Sequence, residues 1–571
     1  MRHLVNRHLW QQFWGIALPY WRQEEKWKAR GLLVLLVALL LGQTGFAVLF
    51  NEQTGEFTSA LAAHDSERFW RAIRWCLALV AGAVPIYALY YFVRDTLGNH
   101  WRRWLTDRFL AGYFRDRHFY ELNARADIDN PDQRIAEDIN TFTQRSLFFL
   151  LIFIGAALQL IAFSQVLWSI AHELVYFLVV YALAGTLLTI YVFGKPLIGL
   201  NFRQLQREAD FRFSLVRVRE KAEPIALYHG ETQERQQVWQ RFTRAFDNFR
   251  QLIRSQLFLN LFQYAYSMLT IVLPSALIAS RVLSGELEVG RAIQAAGAFA
   301  AVLSAISVVI ENFEGLSRFA AGIDRLDTFF KLLTGPASPA GPGVPQESTI
   351  ASVEDTRLAL HQVTLQTPRR ERTLIQNLSI DVQPGQGLLI VGASGSGKSS
   401  LLRALSGLWY AGSGTIFRPE ARDLLFLPQQ PYMFLGTLRN QLLYPDLDRP
   451  ATEAHLLDLL VRVNLPDLAQ RFGGLDAEMD WEKVLSIGEQ QRLACARVLL
   501  VQPRFAILDE ATSALDVANE THLYRQLLET RATLVSVGHR TTLLAYHQQV
   551  LELTGDGHWR VHAVQDYQFG P

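Results

Sequence analysis

Over the first 330 positions apolar residues come in long runs rather than in alternation. Six of these, Gly31–Phe50, Ile73–Phe92, Ser146–Val166, Leu174–Phe193, Leu257–Ala279 and Ile293–Ile310, each approach the roughly 20 residues a helix needs to cross a bilayer. The pattern predicts six membrane spans. Connections after the first, third and fifth are short, whereas Arg94–Arg145 and Gly194–Gln256 are long and basic, with Arg94, Arg102, Arg103, Arg108, Arg115 and Arg117 in one. Lys195, Arg203, Arg207, Arg212, Arg217, Arg219 and Lys221 stand in the other. Basic residues beside span ends mark the cytoplasmic face, which puts both termini inside. Helical spacing in WRRWLTDRFLAGYF and FRQLQREADFRFSLVRVRE predicts that the spans continue as helices beyond the membrane. Tips are expected at Asp129-Asn130-Pro131-Asp132 and Leu227-Tyr228-His229-Gly230. Ahead of the first span, HLWQQFWGIALPYW predicts an interfacial helix within residues 1–28, with Trp10, Trp14, Tyr20 and Trp21 at headgroup depth. The alternative is a helix packed on its own domain.

After Phe330 the pattern changes. KLLTGPASPAGPGVPQEST has the composition of a linker, which separates a helical domain over 29–333 from a second domain over 357–571, with 334–356 between them. From Arg357 onward short apolar strands, LALHQVTL, LSIDV, GLLIVG, LLFLP, FAILDE and TLVSVG, alternate with helical stretches. An α/β domain around a largely parallel sheet is expected.

Composition supports this division. A chain of 571 residues is too long for one core, and half of it is hydrophobic with only 19% charged, as in a membrane protein with a soluble part. A net charge of +1 argues against a nucleic-acid partner. Cys76 and Cys495 lie in unlike surroundings and imply neither a disulfide nor a metal site. No cleavable leader is expected, because the first apolar run is too long for one. Polar residues within the spans, among them Gln43, Thr44, Gln159, Ser164, Gln263, Tyr264, Ser267, Gln294, Ser304 and Ser307, read chiefly as contacts between helices and otherwise as a substrate path.

The densest chemistry lies at LLIVGASGSGKSS, Leu388–Ser400, where a buried strand enters a glycine-rich turn and then a helix. Glycines let backbone N–H groups approach phosphates, and the helix start adds positive dipole. Candidate binding residues are Gly392, Ser394, Gly395, Gly397, Lys398, Ser399 and Ser400, with Lys398 reaching the β/γ-phosphates and the Ser399 hydroxyl a ligand for Mg2+. In RFAILDE a strand delivers Asp509 and Glu510 to its carboxyl end, one toward the metal and the next toward a water facing the γ-phosphate. LSIGEQQR opens a helix on which Ser486 and Gly488 can meet phosphate.

Taken together, these motifs resemble those of ATP-binding cassette transporters. Walker A lies at Gly392–Ser399, the Q-loop at Gln429, the signature at LSIGEQ, Walker B at RFAILDE, the D-loop at Ser513-Ala514-Leu515-Asp516, and the switch histidine at His539. The helical half resembles the exporter type. PYWRQEEKWKA, WRRWLTDRFLAGYF, DNPDQRIAEDI and FRFSLVRVRE further resemble subfamily D half-transporters and the SbmA/BacA peptide and cobalamin permeases.

The resemblance implies ATP and Mg2+ as ligands and a homodimer, since the signature cannot fold back onto its own Walker A. Each ATP would then lie between Lys398 of one copy and Ser486, Gly488 and Glu489 of another, with Asp516 beside it. It implies Glu510 as general base, Gln429 and Asp509 serving Mg2+ (Asp509 through water), and His539 at the γ-phosphate. Implied too are a bacterial inner membrane with its lipid, and a cargo that is peptide- or cobalamin-like or else a fatty acyl-CoA. An ATP-gated channel is the rival from another class. Thr367-Pro368 stands where many relatives place an aromatic against adenine, which implies weaker base stacking.

Overall fold

The computed structural model describes residues 7–22, 26–123, 131–334, 349–368, 370–409 and 411–569. The chain divides into two compact units, Met1–Ala337 and Ser338–Pro571.

The first unit is helical. Its longer helices are α1 Arg7–Arg22, α2 Lys26–Ala62, α3 Ser66–Phe114, α4 Ile139–Ile170, α5 His172–Leu188, α6 Lys195–Glu220, α7 Glu231–Leu283, α8 Val289–Glu311 and α9 Phe313–Thr334. Helix runs through each of the six expected spans. Among the described residues four helices are long and apolar enough to cross a membrane: Lys26–Ala62, Ser66–Phe114, Pro131–Ile170 and Val289–Val308. The fourth expected span falls on α5 and the π-turns Thr189–Gly194 that prolong it, and the fifth on the distal part of α7. Val34, Leu77, Phe92, Ile161, Val180 and Tyr191 are all exposed, an apolar surface that hydrocarbon covers and water would not.

Inside, Leu36, Leu97, Trp101, Leu105, Ile139, Leu326 and Phe329 form the packed core. Helix α1 turns Gln12, Ile16, Ala17 and Tyr20 inward, and Gln12 Nε2 donates to Asp324 of α9 at 2.8 Å. Trp10 and Trp14 stay exposed. Tyr20 is buried and stacks on Trp101 with centroids 5.6 Å apart. Its position on the inward stripe of α1, eight residues after Gln12, is the reason.

Arg68 ties helix ends together, bonding Glu56 at 2.5 and 3.0 Å and Glu288 at 3.2 Å. Beside it α2 and α8 touch backbone to backbone, for a Cβ on Gly290 would sit 1.9 Å from the Gly55 carbonyl oxygen.

Helices α6 and α7 run antiparallel. Asn248 Nδ2 donates to Leu200 O at 2.9 Å, Arg207 Nη1 to Arg244 O at 2.7 Å and Arg241 Nη1 to Asp210 O at 3.1 Å. Arg207 and Arg241, both in the long basic connection, thus bind the neighbouring helix. The pair ends in the short helix Ala222–Leu227 and a turn where Leu227 and Tyr228 are exposed, as the sequence predicts. At the other expected tip Pro131 and Asp132 begin helix, while Asp129 and Asn130 lie outside the described residues.

The second unit holds β1 Thr349–Glu354, β2 Leu358–Gln366, β3 Thr373–Val382, β4 Leu388–Gly392, β5 Gly412–Arg418, β6 Leu424–Leu427, β7 Phe505–Asp509, β8 Thr533–Val537, β9 Gln549–Leu553 and β10 Trp559–Ala563. Two sheets share them, where the sequence suggests one. The larger has the order β10-β9-β4-β8-β7-β6, and only β10 is antiparallel. The smaller has the order β1-β5-β2-β3, with β2 antiparallel to both neighbours. Only six residues separate β2 from β3, and a connection that short permits a hairpin but no parallel crossover. Strand β1 lies inside the segment read as linker and pairs with β5. In β4, β7 and β8 nearly every residue is buried, as helices on both faces require.

Candidate functional site

Four adjacent strands, β4, β8, β7 and β6, end on one edge of the larger sheet. Ile390 is level with Val537, Val537 with Asp509, and Leu508 with Leu427. Whatever follows those residues meets at that edge: the glycine-rich turn after β4, His539 after β8, Glu510 after β7 and Gln429 after β6. A parallel sheet puts its binding crevice there.

The turn Ala393–Gly397 leads into α10, Lys398–Leu405. Gly392, Gly395 and Gly397 have φ of +148°, +79° and +103°, conformations that L side chains rarely adopt. At Gly392 space also forbids a side chain, because a Cβ would approach Leu553 O to 2.4 Å. Lys398 folds over the turn, its Nζ donating to Gly392 O at 2.7 Å and Ala393 O at 3.0 Å. Ser394 and Ser399 are exposed and Ser400 is half-buried. The buried Ser396 hydroxyl has no protein partner among the described residues.

Across the edge, Gln429 Nε2 donates to Glu510 Oε2 at 2.9 Å. Glu510 has φ +47° and its amide bonds Val537 O, so the strand ends abruptly and the carboxylate turns to Gln429. Burial, together with the Glu510 charge, raises the Asp509 carboxyl above its ordinary value, against the pull of Arg403 and Lys398. Asp509 and Glu510 after β7, both half-buried, and the exposed Ser399 hydroxyl after β4 are oxygen donors of the kind that suits Mg2+. His539 is exposed at the same edge.

The sheet does not bring the signature here. Ser486 caps α11, Ile487–Val501, which packs against β6. Strand β6 is three places from β4, roughly 14 Å at ordinary strand spacing. The Ser486 hydroxyl, expected to face phosphate, bonds Glu489 Oε2 at 2.9 Å within a capping box. Glu489 also takes Arg471 Nη1 at 2.6 Å. Burial would raise its carboxyl, but Arg471 and the Ser486 groups outweigh that and hold it low. Gly488 packs on the D-loop, where a Cβ would lie 3.3 Å from Leu515 Cδ2. Asp516 caps the next helix, α12 Val517–Glu529, accepting from the Asn519 amide at 2.7 Å. Glu489 and Asp516 thus act first as helix caps.

Three side chains that sequence reasoning passed over hold these loops together. Gln491 donates through Nε2 to Gln429 O at 3.2 Å and accepts through Oε1 from the Ala514 amide at 3.1 Å, joining Q-loop to D-loop. Arg540 donates to Leu515 O at 2.8 Å and Ser513 O at 3.0 Å. Behind it the buried Glu520 carboxylate takes the Thr512 hydroxyl at 2.8 Å, the Thr542 hydroxyl at 2.6 Å and Arg540 at 3.4 Å. The second glutamine of LSIGEQQR and the arginine that follows His539 were the signals available in the sequence. The Thr367 amide donates to Arg372 O at 2.9 Å, and the sequence from Thr367 to Arg372 holds no aromatic residue, in agreement with the departure noted above.

Two family profiles match the chain, ABC transporter transmembrane region 2 over residues 16–283 and ABC transporter over residues 375–513. An uncharacterized ABC transporter ATP-binding protein of Synechocystis sp. is 46% identical over 95% of this chain and 83% of its own length. ABC transporter D family member 2, chloroplastic, of Arabidopsis thaliana is 40% identical over 98% and 90%. The human lysosomal cobalamin transporter is 32% identical over 94% of each. Among solved structures, a bacterial Atm1-family ABC exporter with ATP bound superposes with a TM-score of 0.71 at 19% identity, covering 94% of this chain and 96% of that one, a likeness of fold.

Proposed function

The chain belongs to the ABC transporters, with membrane and ATPase parts fused in one polypeptide, and from that premise we propose that two copies clamp two ATP molecules between them. ATP hydrolysis drives its transport across the membrane. The observation that carries the reading is the separation of the glycine-rich turn from the signature by three strand spacings in one cassette, so a complete site needs a second chain.

In this reading backbone amides of Gly392–Ser399 cradle the phosphates and Lys398 leaves its two carbonyl oxygens to meet them. Ser486 and Gly488 of the other copy close the opposite side. Glu510, positioned by Gln429, takes a proton from the attacking water, and His539 donates toward the γ-phosphate. Ser399, Gln429 and Asp509 are the residues that would hold Mg2+, which when bound offsets phosphate charge. Closure of the paired cassettes is coupled to a switch in cavity access between the two sides of the membrane. The cargo is hydrophilic or amphipathic, peptide- or cobalamin-like, with fatty acyl-CoA the second reading, and the membrane is a bacterial inner membrane with the cassettes cytoplasmic.

Mixed dimers test this. Lys398→Ala and Ser486→Arg copies are each inactive alone, but one of each restores one intact site if the sites form between chains. Recovered ATPase in the mixture, lost again when Glu510→Gln is added to the copy that retains Lys398, is expected. No recovery in verified mixed dimers overturns the shared site.

A further inference from the structure

Within the helical unit a cavity of about 430 Å3 opens between α5, α7 and α8. That volume suits a small solute. Its walls mix apolar residues such as Phe262 and Leu303 with a set of polar ones. Helix α7 contributes Asn260 and Gln263, and α8 contributes Ser304, Ser307 and Glu311, spaced so that each set falls on one helix face. Among the described residues no protein group takes up the side chains of Asn260, Gln263, Ser304 or Ser307. Hydrocarbon cannot satisfy such groups, so this wall faces water or a polar solute.

The cavity is also shaped. Tyr266, part of its lining, stacks on Tyr181 at 4.3 Å and 5°, and each hydroxyl donates to the other's carbonyl at 2.7 and 3.1 Å. Gly185 allows this, since a Cβ there would reach within 2.5 Å of the Tyr266 ring. This tyrosine pair is therefore fixed and its two hydroxyls are already used. Charge is one-sided: among the described lining residues Glu311 is the only acid, and there is no Lys, Arg or His. A separate cavity of about 210 Å3 holds Arg94 and Arg145, but Arg94 is paired with Asp95 at 2.9 Å and Arg145 lies over Phe148 at 5.8 Å.

We propose that the Asn260/Gln263/Ser304/Ser307/Glu311 cavity is the cargo site and that it takes short peptides of neutral or positive charge rather than phosphate-bearing acyl thioesters. The inference rests on the transport reading above and chooses between its two cargo classes. Amides and hydroxyls on the walls match peptide N–H and C=O groups, whereas several phosphates beside Glu311 find no cation.

Equilibrium binding of labelled trilysine, trialanine, triglutamate and palmitoyl-CoA to the full-length protein in detergent, without nucleotide, tests the site directly. Trilysine is expected to bind tightest, and Glu311→Gln to weaken it about threefold while leaving trialanine unchanged. Glu311→Asp keeps the preference, and unchanged melting temperatures of both variants control for folding. Tighter binding of palmitoyl-CoA than of any peptide, or trilysine binding indifferent to Glu311→Gln, overturns the proposal. If the binding order holds but ATP moves no peptide into vesicles, the site stands and the transport reading falls.

Discussion

Replacing Gln491 by Leu separates the stability of the cassette from the positioning of its loops. The side chain is fully buried, yet both backbone groups it binds, Gln429 O and the Ala514 amide, belong to exposed residues. Leu fills similar space, so no large cavity results, and the freed backbone groups can turn to water. Two hydrogen bonds at about 1 kcal/mol each put the loss at about 1–2 kcal/mol. For a unit of this size that lowers the melting temperature by about 3–6 °C. Activity is expected to fall further, about 10- to 100-fold in kcat, because the Q-loop and D-loop lose their common anchor and Gln429 no longer fixes Glu510. Gln491→Glu refines the test. It retains an acceptor for the Ala514 amide but opposes a carboxylate to Gln429 O, releasing the Q-loop alone. Scanning calorimetry of the full-length protein in detergent, with steady-state ATPase on the same samples, reads both quantities. A Leu variant that melts several degrees lower but hydrolyses ATP at the wild-type rate would refute the positioning role.

Two other features give predictions of their own. Arg540→Met leaves the buried Glu520 carboxylate with only two hydroxyl donors and is expected to cost about 2–3 kcal/mol, discounted because Arg540 is partly exposed. Adding Glu520→Gln should then cost less than its effect alone by at least about 1 kcal/mol, and strictly additive melting shifts would rule the brace out. His547 is buried with Nδ1 2.7 Å from Leu543 O and Nε2 2.8 Å from Ser536 Oγ, and burial pushes it down to about 4 from an ordinary 6.5. Folded, it stays neutral while the unfolded chain takes up a proton below pH 6.5. Stability is therefore full above that pH and declines as pH falls from 6.5 toward 4, by up to about 3 kcal/mol. Melting curves across that window should flatten in His547→Gln, and an unchanged slope would dismiss the assignment.

Much of the site was legible in the sequence because it is made of local structure. Positive φ at Gly392, Gly395 and Gly397 needs glycine whatever surrounds it. The caps at Ser486 and Asp516 are each completed by a residue three positions on. Each of the six expected strands is present, the buried parallel ones because a continuous apolar run displays them, whereas β1, β5, β9 and β10 were not expected. Where local pattern was a poor guide, the competing term was non-local. Tyr20 carries the amphipathic character of an interfacial residue, and its burial against Trp101, 81 positions away, is a contact that local pattern does not show. The serines and amides of the spans read mainly as contacts between helices, and only the packing of α5, α7 and α8 shows that several line a cavity.

By itself, then, the sequence determined the phosphate-binding turn, the acidic strand end, the helix starts and the apolar lengths of the helices, all consequences of backbone dihedrals and periodicity within a few residues. Tertiary structure decided which of these meet. Gln429 and Glu510 are 81 residues apart and share a hydrogen bond only because β6 and β7 are neighbours in register. Gln491 matters because the start of α11 lies between the Q-loop and the D-loop, and Glu311 because α8 turns that face to α7. Such juxtapositions follow from sheet order and helix packing, where the energy of each contact depends on distant parts of the chain that no local pattern encodes.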